Sequence, residues 1–151
     1  MIEIPVKPHV KQYLLKNTFI RKPFMLNECD PVGLFLINAI EPKKKATLPL
    51  RYNQDRVISV RLGNDKRYNH KMWLPQYKAR TFNSFIDSLI RSEFYVFIDT
   101  VMLYCEDEKV DRTIRMFEAK YQLQETNLSF GTLKRMFYRN RERFKTPAKS
   151  S

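Results

Sequence analysis

Between Thr81 and Cys105 the apolar residues Phe82, Phe85, Ile86, Leu89, Ile90, Phe94, Phe97, Ile98, Val101 and Cys105 recur at three- and four-residue steps. A strand alternates every second residue, so this spacing predicts one long helix with a wide apolar stripe. Thr81 is its expected N-cap, and Asp87, Arg91, Glu93 and Asp99 fall mostly off the stripe. A stripe of that width packs on a core or on a second subunit, so a homodimer through the 81–105 helix is one expectation. The four charges also interrupt the stretch too often for it to cross a membrane, and the run Val32 to Ile40 is too short to do so.

Other elements are expected to assemble around this helix. Ile2 to Val6 alternates as a short strand, with Pro5 marking it as an edge, and Pro8 opens a helix over His9 to about Lys16. Asp30-Pro31 reads as an N-cap followed by proline at the first helical position, ahead of a buried helix that stops near Glu41-Pro42. Leu48 to Tyr52 and Arg56 to Leu62 read as two strands of a hairpin, while Lys66 to Lys78 has no regular pattern. Two helices follow the long one, Asp111 to Tyr121 and Ser129 to Phe144, with a break over Gln122 to Asn127. The fold class expected is α+β: a small antiparallel sheet with helices in a mixed, basic part over 1–80, a long helix and a C-terminal helical pair over 81–145, and a flexible tail over 146–151.

Charge narrows the function. The chain of 151 residues carries a formal charge of +12, more than solubility requires of a small domain. The excess is uneven: residues 1–80 hold 16 Lys/Arg against 6 Asp/Glu, residues 81–128 hold 5 against 9, and residues 129–151 hold 7 against 1. Concentrated positive charge favours a polyanionic partner. In the last helix Phe130, Leu133, Phe137 and Phe144 line one side, and Lys134, Arg135, Tyr138, Arg139, Arg141 and Arg143 face elsewhere. One helix thereby offers a core face and a cationic face, as entry into a major groove requires. Lys134, Arg135, Arg139 and Arg141 are the expected base or phosphate contacts and Arg143 and Lys145 the backbone contacts, while Tyr138 can stack on an unpaired base or, the more frequent role at such a position, cover neighbouring side chains. Ser129 or Asn127 is the expected cap of this helix, whose open N–H groups would face a phosphate. The run Lys43-Lys44-Lys45 is a second expected phosphate contact, in a loop.

The stretch Phe117-Glu118-Ala119-Lys120-Tyr121-Gln122-Leu123, followed by Leu128-Ser129-Phe130-Gly131-Thr132-Leu133-Lys134-Arg135, resembles the helix-turn-helix region of small phage and mobile-element transcription regulators. In that family a Lys-Tyr-Gly-Leu-like helix end precedes a Ser-containing recognition helix. Here Gln122 takes the place of the turn glycine, the connection is longer, and Gly131 lies inside the second helix. The resemblance implies DNA binding.

Signatures of catalysis are missing from the sequence. His9 and His70 have no metal-ligand spacing, the glycines at 33, 63 and 131 are isolated, and no nucleophile elbow occurs. Cys29 and Cys105 form no Cys-x-x-Cys pair and are expected to be reduced, buried thiols of a cytoplasmic protein, in the host cytoplasm if phage-encoded. The sequence therefore predicts a non-catalytic nucleic-acid-binding protein without metal or cofactor, with DNA preferred over RNA and no membrane partner. The alternative is a phage or mobile-element structural protein that binds a protein partner or packaged genome.

Overall fold

The computed structural model describes residues 1–17, 24–42, 56–62, 72–105 and 109–145. Among them the order is β1 (Ile2–Pro5), α1 (Pro8–Lys16), β2 (Phe24–Met25), α2 (Pro31–Ala39), β3 (Glu41–Pro42), β4 (Val57–Arg61), β5 (Met72–Trp73), α3 (Gln76–Tyr104), α4 (Val110–Tyr121) and α5 (Phe130–Lys145). The fold is α+β, with the strands in the N-terminal part and three successive helices after them. The chain divides into two compact units, Met1–Leu89 and Ile90–Ser151, so the boundary falls inside α3 and not before it.

In the first unit β4 is the central strand of three. It pairs antiparallel with β1, Ile2 opposite Val60 and Ile4 opposite Ile58, and parallel with β2. A separate antiparallel pair joins β3 to β5. The sheet is thus mixed, and β4 finds its long-range partner in β1; Leu48 to Tyr52, the expected hairpin partner, lies outside the described residues. Ile2, Ile4, Ile58 and Val60 are buried on one face while Glu3, Ser59 and Arg61 are exposed, the period-two alternation of a half-buried sheet.

Asp30 caps α2 as expected, its carboxylate accepting the Gly33 N–H at 2.7 Å. Gly33 has a packing reason: a Cβ there would lie 2.0 Å from the Asn27 carbonyl oxygen. Phe35 of α2 stacks on Phe85 with centroids 5.0 Å apart and tilts against Phe82 at 5.6 Å. Buried Asn83 pins the turn between β1 and α1, donating to the Pro5 carbonyl at 2.9 Å and accepting from the Lys7 N–H at 2.7 Å. His9, buried in α1, meets Asp87 at 3.0 Å, a pairing that sequence spacing does not reveal.

The long helix begins at Gln76 instead of Thr81. Pro75 accepts its first bond, from the Ala79 N–H at 2.9 Å, and Thr81 sits inside, its hydroxyl donating to the Tyr77 carbonyl. The centre of its stripe is buried within the chain: Phe82, Ile86, Ile90, Phe94 and Ile98 are each 0% exposed. Those five residues are core, whereas Phe85, Leu89, Phe97 and Val101 are half-buried and Cys105 is exposed. Both cysteines are free but exposed, against the expectation of buried thiols. No described helix is long and apolar enough to cross a membrane.

Candidate nucleic-acid interface

In the second unit Phe117 of α4 packs against the downstream part of α3. Its ring meets Phe94 at 5.2 Å, Phe97 at 5.6 Å and Tyr121 at 5.1 Å, which docks α4 on α3. Glu93 of α3 reinforces the contact, accepting from Lys120 Nζ at 2.9 Å and from the Tyr121 hydroxyl. Burial, then the bond to Glu93, pushes the Tyr121 phenol above the ordinary tyrosine range. On the other side α5 buries Leu133 and Phe137, and its Met136 receives Arg91 at the sulfur (3.1 Å) and the Tyr95 hydroxyl at the carbonyl (3.4 Å). Here α4 and α5 follow the downstream part of α3 as the second and third helices of the unit.

The joint between α4 and α5 is built from three features. Gln122 ends α4 in the left-handed region (φ 53°, ψ 51°), where a turn glycine would be usual. Leu123 and Leu128 are buried, and Thr126 braces them by donating to the Leu123 carbonyl at 2.8 Å and accepting from the Leu128 N–H at 3.2 Å. Glu118, only 6% exposed, accepts the Phe130 N–H at 2.6 Å and so caps α5 from the neighbouring helix. A carboxylate there offsets the positive end of the α5 dipole. Ser129 occupies the cap position through its carbonyl, which accepts from Thr132 and Leu133. Glu118 thus takes the Phe130 N–H at the helix end where the sequence led to the expectation of a phosphate.

The predicted contact residues separate into distinct groups. Lys134 donates to Asp111 at 2.7 Å, and that bond raises its pKa above the ordinary lysine value. It also lies over the Phe130 ring at 5.6 Å, and Arg115 of α4, not selected from sequence, covers the same ring at 4.2 Å. Arg135, Tyr138, Arg139 and Arg141 are exposed. Arg135 leans back on the Gly131 carbonyl at 3.3 Å, Arg141 lies over Phe137 at 5.3 Å, and Tyr138 meets Phe137 edge-on at 5.4 Å. Among the described residues no carboxylate pairs with Arg135, Arg139 or Arg141. Arg143 and Lys145 continue the helix, with side chains outside the described ones, and Lys43, Lys44 and Lys45 lie outside the described residues. Gly131 is exposed with open space where a Cβ would be, so packing within the chain does not demand glycine there.

Arg135 and Arg139, four residues apart, share one side of α5, while Arg141, two residues further on, lies on another. Among the described residues no three His, Cys, Asp or Glu side chains gather as a cation site would need. No family model, curated protein or solved structure matches the chain.

Proposed function

We propose that the protein binds nucleic acid without catalysing a reaction, that duplex DNA is the ligand, and that α5 serves as the recognition helix of a helix-turn-helix-like pair. The observation carrying this reading is the exposed set Arg135, Arg139 and Arg141, which has no carboxylate partner among the described residues. Arg135 and Arg139 are four residues apart on one helix, a like-charge spacing that costs roughly 0.2–0.5 kcal/mol unless an anion lies between them. Phosphates remove that repulsion, and an arginine that reaches a base edge can bind guanine in two-point fashion. With sixteen residues, α5 is about 24 Å long, enough to lie along a major groove. On this reading the protein works in the cytoplasm as a regulator bound to DNA.

The test is fluorescence anisotropy of labelled duplex DNA over a salt series. Three arginine-to-phosphate contacts predict that log K falls against log salt with a slope of about −2.7 or steeper. No binding at low salt, or a flat salt response, overturns the reading.

A further inference from the structure

Gly131 is the second residue of α5 and is exposed. Open space lies where its Cβ would stand, and its φ is not in the left-handed region. Neither packing nor backbone conformation therefore calls for glycine, which weakens a helix relative to alanine. What a missing side chain still supplies is room for a ligand to come close to the main chain.

Two cations border that opening. Arg135, one turn further along α5, leans back so that its Nε donates to the Gly131 carbonyl at 3.3 Å. Arg115 reaches over from α4, its guanidinium carbon 4.2 Å from the centre of the Phe130 ring. Two guanidinium groups from different helices are thus anchored to consecutive residues, 130 and 131. Both arginines are exposed, and neither has a carboxylate partner among the described residues. Of the carboxylates on the α4 side, Asp111 is engaged by Lys134 at 2.7 Å and Glu118 by the Phe130 N–H at 2.6 Å. A guanidinium lying on a ring uses its face and keeps its in-plane N–H donors, and Arg135 has committed only Nε, so both retain donors for an anion. Like charges brought to adjoining residues repel, and an anion between them relieves that repulsion.

We propose that a phosphate of the duplex backbone seats over Gly131, between the guanidinium groups of Arg115 and Arg135, so that α4 and α5 grip one strand together. The inference rests on the nucleic-acid reading of α5 and adds to it a contact from α4 and a point of closest approach. It does not draw on the free N–H groups of α5. A phosphate contact fixes the register of the protein on the duplex and carries no sequence information, so the grip acts alike on any duplex.

Fluorescence anisotropy of the intact protein with two labelled duplexes of unrelated sequence, each over a salt series, tests it. Gly131→Gln, which fills the opening without adding charge, should weaken binding to both by about tenfold or more, and Gly131→Ala by less, with melting temperatures unchanged or raised. Arg115→Gln should make the slope of log K against log salt shallower by about 0.9, the share of one phosphate, and Arg115→Lys should restore it. If the wild type binds with the expected salt response but both Gly131 variants bind as tightly, or Arg115→Gln keeps the full slope, this inference falls and the reading of α5 stands. Affinity lost only in step with melting temperature overturns it as well, since that marks a structural role. A wild type that binds neither duplex at low salt overturns the reading of α5 and this inference with it.

Discussion

Lys134 and Arg135 are adjacent in sequence and opposite in commitment. The beginning of α5 is bound to the rest of its unit: Phe130 N–H goes to Glu118, Lys134 goes to Asp111, and Arg115 covers the Phe130 ring. Beyond it, Arg135, Arg139 and Arg141 stand exposed, with no carboxylate partner among the described residues. A count of basic residues merges these two populations. The first fixes where the helix points, and the second is what an approaching polyanion would meet.

The largest effect should come from reversing the exposed set. Arg135→Glu with Arg139→Glu is expected to weaken duplex DNA binding at low salt by about 100-fold or more, with an unchanged melting temperature. Lys134→Ala is the control that could break the distinction: it should change affinity by less than about twofold, and a loss matching that of the double reversal would put Lys134 in the same population. Next in size is Glu118→Ala, which strands the Phe130 N–H and should cost about 1–3 kcal/mol in chemical denaturation. Glu118→Gln, which keeps an acceptor oxygen, should recover part of that loss; no loss in either variant would mean that α5 is positioned by packing alone. The smallest effect is expected at the joint. Gln122→Gly relieves a left-handed residue and should stabilise the fold by about 0.5–1 kcal/mol while leaving DNA affinity alone.

Much of the frame is legible in the residues themselves. The long helix announces itself because its core residues are large and evenly spaced, and Asp30-Pro31 marks a helix start by capping chemistry that acts over three residues. The first turn of α3 is harder to see, since Gln76, Tyr77 and Lys78 are mostly solvent-facing and its buried member, Ala79, is small. Strand β4 is visible by alternation, but its partner β1 lies more than fifty residues away, and nothing local specifies that pairing.

The site divides in the same manner. Which α5 residues are cationic is plain from the sequence, whereas Lys134 is withdrawn by a carboxylate 23 positions earlier, a through-space fact. One clue was present: Glu118 falls in step with Ile114, Phe117 and Tyr121, on the buried side of α4. A carboxylate on such a side must find a donor, and the nearest unsatisfied one is at the start of the next helix.

A last consequence follows from where the boundary between the compact units falls. Cutting the chain between Leu89 and Ile90 would sever α3 in mid-course, stripping the downstream piece of the preceding turns that satisfy its first four N–H groups. Neither fragment would inherit an intact scaffold. Heterologous expression of the arginine-bearing piece should therefore retain Pro75 and all that follows, so that the helix keeps its natural beginning.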